Sequence, residues 1–170
     1  MAKKSSNSLY SIVAIALCAV TIVLFLLPFV NYSATLGSSK ITSAISGFAL
    51  AFGGTADIIT KVGSVSTTAS GDVKLVAITL VSFILVVLGL CGGLVNLLAK
   101  TKFVKIIRLC TIVLLVVAAV LTFTTLAGFK ATNELNDTAM KAYSMGFGAI
   151  AVGIVSAAAA IFEVLELLKK

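Results

Sequence analysis

The chain has no histidine and little charge, with Asp, Glu, Lys and Arg together making up only 11% of 170 residues. Its long apolar runs contain no Asp, Lys or Arg at all. Together these gaps remove most general bases, metal ligands and proton relays from the interior. Ser82 and Ser156 therefore have no base beside them and read as packing and hydrogen-bonding residues, so no catalytic constellation, metal set or cofactor site is expected. Cysteine is scarce too: Cys18, Cys91 and Cys110 all fall inside apolar stretches, where they behave as small hydrophobes, which excludes an extracellular disulfide framework.

What is abundant is apolar side chain. Hydrophobic residues make up 60% of the chain and the mean hydropathy is +1.20, whereas soluble domains carry about 25% charge and under half apolar residues. A water-facing surface cannot be built from that, and the length allows one compact membrane unit without a separate soluble domain. The net charge of +7 raises the question of nucleic acid, but Lys3, Lys4, Lys100, Lys102, Lys105, Arg108, Lys169 and Lys170 flank the apolar runs instead of forming a basic face. That placement is an orientation signal for a membrane protein.

Four charge-free runs, 9–30, 75–99, 109–129 and 142–162, are each long enough for a helix to cross a hydrocarbon core of about 30 Å. Only helices or closed barrels satisfy their backbone in lipid, and these runs lack the alternation of barrel strands. The expectation is an all-α membrane protein, a four-transmembrane-helix bundle. Its parts are spans 9–30, 75–99, 109–129 and 142–165, outer loops 31–74 and 130–141, an inner loop 100–108 and a tail 166–170. The first run is too long for the core of a signal peptide, and Tyr32-Ser33-Ala34 is a poor cleavage site, so it reads as a retained helix. The flanking Lys and Arg named above fall on one side. Lys40, Lys61, Lys74, Lys130 and Lys141 fall on the other, offset by Asp57, Asp72, Glu134 and Asp137, which points to a cell membrane with both termini cytoplasmic.

The 31–74 loop is too apolar to be disordered and is expected to fold against the outer end of the helices. Phe48, Leu50 and Phe52 alternate at period two, whereas Ile41, Ile45, Phe48 and Phe52 fit a helical stripe, so periodicity leaves strand and helix both open. The Thr, Ser and Gly of 64–71 favour strands, a small β-sheet, for part of it. Phe48, Leu50 and Phe52 are the expected outer-loop contact residues. Within the spans, Gly89 and Gly93, and Ala149, Gly153 and Ala157, repeat small side chains every fourth position, a spacing that lets helix backbones approach within one chain or between copies. At the inner end, Glu163 is an expensive residue for an apolar run, with Asn96, Lys105 and Arg108 as expected partners in a polar cluster. The other reading makes Glu163 a solvated interfacial acid beside Glu166, Lys169 and Lys170. Hydroxyls such as Thr79, Ser82, Thr111 and Thr122 either line a polar path or bond back to their own helices.

The layout of four spans, inside termini, a long structured first outer loop and a short second one resembles the claudin-like tetraspan architecture. The chain departs from that family's outer-loop signature of tryptophans and a cysteine pair, having neither, so the resemblance implies a layout and no barrier activity. The segments Leu27-Pro28-Phe29-Val30 and Ser46-Gly47-Phe48-Ala49-Leu50-Ala51-Phe52-Gly53 are also similar to uncharacterised bacterial four-span membrane proteins. The expected function is structural: a non-enzymatic oligomer or partner-binding protein whose partners are membrane lipid, a second copy or another membrane protein, and not nucleic acid. The alternative is a subunit of an oligomeric pore or transporter.

Overall fold

Proline has no backbone N–H and pushes the residue before it out of the helical region, so the single Pro28 limits how far the first apolar run can stay helical. In the computed structural model, which describes residues 6–98 and 103–169, helix α1 covers Ser6–Leu24 and strand β1 starts at the proline and covers Pro28–Leu36. Next come strand β2 (Ser39–Ser46), the short helix α2 (Gly47–Phe52), and strands β3 (Gly54–Val62) and β4 (Val65–Val73). Helices α3 (Ala77–Leu98), α4 (Val104–Phe123), α5 (Thr125–Thr132) and α6 (Asp137–Met140) follow, then strand β5 (Tyr143–Met145) and helix α7 (Phe147–Leu168). Lys3, Lys4, Lys100, Lys102 and Lys170, which the orientation reading uses, lie outside the described residues.

This overturns the expected all-α four-transmembrane-helix bundle. Residues 28–73 supply four strands of a five-stranded antiparallel sheet in the order β4-β3-β2-β1-β5, and the fifth strand comes from the segment before α7. Among the described residues three helices, α3, α4 and α7, are long and apolar enough to cross a membrane, while the apolar part of α1, Leu9–Leu24, is shorter. Other bounds shift as well. The run 109–129 is broken at Thr124, where α4 gives way to α5. The inner loop loses Lys105 and Arg108 to the first turns of α4, and the tail loses Glu166 to α7.

Two tight turns set the sheet register. Gly37 (φ 61°) and Gly63 (φ 58°) each open a two-residue loop, closing the pairs Leu36 with Ser39 and Val62 with Val65. A glycine at the first loop position supplies the positive φ that such hairpins need. Ser46 caps α2 by accepting from the Ala49 N–H at 3.2 Å, and the Gly47 and Phe48 amides donate to the Leu27 and Phe25 carbonyls. The open question about 31–74 therefore resolves by segment: Ile41 and Ile45 lie on strand β2, whereas Phe48, Leu50 and Phe52 lie on helix α2.

Sheet and helices meet in one apolar core containing Phe25, Phe29, Val30, Leu50, Val76 and Phe129. Phe25 packs at a tilt against Phe29 at 4.9 Å and meets Phe83 edge-on at 5.1 Å, and each buried ring contributes about 1.5–3 kcal/mol. Below this junction α3 packs on α4, α4 on α7, α7 on α1 and α1 on α3. The helices are polar within and apolar without. Val81, Ile84, Leu88, Val113, Val120 and Ile154 face outward, while Ser82, Asn96, Arg108, Thr122, Ser156 and Glu163 are buried. A soluble protein shows the reverse, and lipid is the solvent that covers such an outer face without cost. The chain is a membrane protein.

Candidate functional site

Far from the sheet, the helices enclose an ion cluster. Arg108 Nε lies 3.1 Å from Glu163 Oε2, and Arg108 Nη1 lies 3.9 Å from Glu166 Oε1, with the three side chains no more than 3% exposed. Arg108 Nη2 also donates to Ser11 Oγ on α1 at 3.3 Å. The arrangement follows from helical spacing: Glu163 and Glu166 are three residues apart and share the inner face of α7, while Arg108 begins the buried stripe of α4 that continues through Thr111 and Leu115. On α3 the buried stripe runs Val86, Gly89, Gly93, Asn96, and the α-carbon of Gly93 faces Glu163 Oε1, which would sit 3.8 Å from a β-carbon there. Asn96, one turn further along, is 6% exposed, and neither of its amide atoms has a partner among the described residues.

Of the expected inner cluster, Asn96, Arg108 and Glu163 are thus brought to one face-to-face region, and Lys105 is not: it is exposed on the outer side of α4. The reading of Glu163 as a solvated acid fails because the side chain is sealed. Sequence reasoning missed Ser11, which carries no signal in the sequence, and Glu166, which does carry one in its i, i+3 relation to Glu163.

The small residues work as helix contacts inside this chain. A β-carbon on Gly89 would lie 2.7 Å from Leu115 of α4, one on Gly93 would lie 3.0 Å from Ile15 of α1, and one on Gly153 would lie 2.6 Å from the Phe123 ring. Ala149 is fully buried, and half-buried Ala157 lines an apolar groove between α4 and α7 together with Val116, Phe123 and Ile161. Of the expected outer-loop contacts Phe48, Leu50 and Phe52, Phe52 is the exposed one, at 51%. Leu50 is fully buried, and Phe48 and Phe52 stack on each other and meet Phe83 of α3 edge-on, which seats α2 against α3.

The outward-facing feature of the sheet is instead its long free edge. β4 is nine residues, nearly all exposed, and its sequence Val-Ser-Thr-Thr-Ala-Ser-Gly-Asp-Val has no Lys, Arg or Pro and a single acid, Asp72. A two-residue turn closes on a hydrogen-bonded pair, here Val62 with Val65. By alternation Ala69 turns its N–H and C=O toward β3, and Ser66, Thr68, Ser70 and Asp72 turn theirs outward. The opposite edge, β5, is only three residues long. Across one face of the sheet, from β5 to β4, an open cleft of about 360 Å³ lies between the sheet and α5, lined by Tyr32, Ile45, Ile58, Val73, Phe129 and Tyr143 among others. Burial, and then the neighbouring Tyr32, push the Tyr143 hydroxyl above its ordinary titration range.

Among the described residues no group of three or more His, Cys, Asp or Glu side chains could hold a metal ion. No protein-family model matches the chain, and no curated protein matches it either.

Proposed function

We propose that the chain is a non-enzymatic membrane protein that assembles with a second copy of itself by pairing its β4 edge with the β4 edge of the other copy. The observation that carries this reading is the undefended edge itself. Soluble and membrane-attached sheets blunt exposed edges with Lys, Pro, bulges or short strands, because a free ladder of N–H and C=O groups recruits another strand. β4 has none of these devices over nine residues, whereas the other edge is shortened to three.

A two-fold arrangement fits the sequence of β4. Antiparallel pairing centred on Ala69 sets Thr68 opposite Ser70 and Ser66 opposite Asp72, so the two Asp72 carboxylates lie at opposite ends and no like charges meet. The outward N–H and C=O groups of Ser66, Thr68, Ser70 and Asp72 then all find partners. In this reading the sheet stands outside a cell membrane, the Arg108 end of the helices faces the cytoplasm with both termini, and the two copies meet head to head, because antiparallel pairing sends the two α3 helices off opposite ends of the paired strands. The exposed Lys105 and Lys169 at that end support the orientation.

Disulfide trapping tests the reading. Ala69 would face its own copy at a non-hydrogen-bonded site, where side chains come closest. In a background with the exposed Cys91 and Cys110 changed to Ser, Ala69→Cys is expected to give a covalent dimer in detergent micelles on mild oxidation. Adding Thr68→Pro, which removes an outward N–H and leaves the β3 ladder untouched, is expected to abolish it. Trapping unaffected by the proline, or absent altogether, would refute pairing through β4.

A further inference from the structure

Counting charge in the ion cluster gives an imbalance. Arg108 supplies one positive charge and Glu163 and Glu166 two negative ones, all three side chains sealed from solvent. The groups facing the cluster from each packed element add no cation among the described residues. From α1 come Ser11, the phenol of Tyr10 with Lys169 lying over its outer ring face, and the buried thiol of Cys18 near Glu163. α3 presents Gly93 and Asn96, and on α4 and α7 the neighbouring Lys105 and Lys169 are exposed. An uncompensated charge in such surroundings is far costlier than a neutral acid, and carboxyl groups remove it by taking up a proton.

A second, independent observation comes from the facing helix. Asn96 has an unpartnered Nδ2 donor and an unpartnered Oδ1 acceptor, is almost fully buried, and stands on the same face of α3 as Gly93, which abuts Glu163 Oε1. Glu163 Oε1 and Glu166 Oε2 are unpartnered too, and the 3.1 Å contact of Glu163 Oε2 with Arg108 Nε is an ion pair without hydrogen-bond geometry. Two ionised carboxylates offer only acceptors, leaving Asn96 Oδ1 without a donor. A carboxylic acid changes that: its O–H donates to an amide oxygen while its carbonyl accepts from the amide N–H.

We infer that the Arg108, Glu163, Glu166 and Asn96 cluster is a proton-binding site, holding one exchangeable proton on the Glu163–Glu166 pair at neutral pH. With the proton bound, Arg108 balances the remaining carboxylate, and the cluster gains an O–H donor on the side of α3 that carries Asn96. The proton belongs to the pair, since two coupled acids titrate as a unit. Its release leaves the cluster with a net negative charge, so the helix packing around it loosens as pH rises through the titration of the pair and is held below it. This site is independent of the β4 edge, and its failure would leave the assembly reading untouched.

Infrared spectroscopy of the full chain in lipid nanodiscs in D₂O tests the inference directly, because a protonated carboxyl has a C=O stretch separate from the carboxylate bands. The wild type is expected to show one buried protonated carboxyl at neutral pH that bleaches on alkalinisation, and Glu163→Gln or Glu166→Gln is expected to remove it. The thermal midpoint of the wild type is expected to fall with rising pH, and that of either Gln variant to lose the dependence. Only ionised carboxylates in the wild-type spectrum at neutral pH, as a further cation at the cluster would give, would overturn the inference, and this readout needs no variant. So would stabilisation by added sodium or lithium chloride with no protonated band, which would make the ligand an alkali ion.

Discussion

At the scale of single residues, Arg108 holds the most demanding position in the molecule. It stands between two sealed carboxylates and donates to Ser11, so it ties α1, α4 and α7 together at one depth. Removing one partner of a buried ion pair strands the others and costs about 3–5 kcal/mol, while replacing the whole set by apolar groups is often neutral. Arg108→Met is therefore expected to lower the detergent melting temperature sharply, and Arg108→Met with Glu163→Leu and Glu166→Leu to recover most of the loss. A surface ion pair behaves differently. Hydrogen bonding from Lys130, and then its charge, hold the exposed Asp137 carboxyl below its ordinary range. A depressed carboxyl adds stability that is present above the unfolded titration and lost as pH falls through the folded one. NMR titration is expected to find Asp137 below ordinary carboxylates, and Lys130→Met to return it toward them with little change in melting temperature.

At the scale of elements, the glycines of the two hairpin turns decide register. Nothing crowds Gly63, but its φ of 58° is unfavourable for any other residue. Gly63→Ala is expected to cost about 1–3 kcal/mol, seen as faster amide exchange in β3 and β4 with exchange in α3 unchanged. These turns also show what the sequence made legible. Gly37-Ser38 and Gly63-Ser64 each separate strand-like runs by two residues, a hairpin signal that the expectation for 31–74 left unused when it favoured strands only around 64–71. Hydropathy alone hid the boundary at Pro28, since Phe29 and Val30 are as apolar as the span before them and enter the core from a strand. The helices α3 and α7 were legible because their charge-free runs are long. Glu163 with Arg108 was legible because charge in such runs needs a partner, whereas Ser11 was not, because its role depends on which helix packs beside it.

At the scale of the whole molecule, the chain divides into a helical part turned inside out for lipid and a sheet seated on its end by the Phe25, Phe29 and Leu50 core. The helical part spends its small residues on internal contacts at Gly89, Gly93 and Gly153, leaving the sheet edge as the extended surface that lacks a partner. The proposed assembly through β4 rests on that division. Native mass spectrometry of the chain released from detergent micelles measures it most directly. A two-chain complex for the wild type, reduced to single chains by Thr68→Pro with an unchanged circular dichroism spectrum, is the expected result. A wild type that is a single chain at every concentration, or a dimer indifferent to Thr68→Pro, would contradict it.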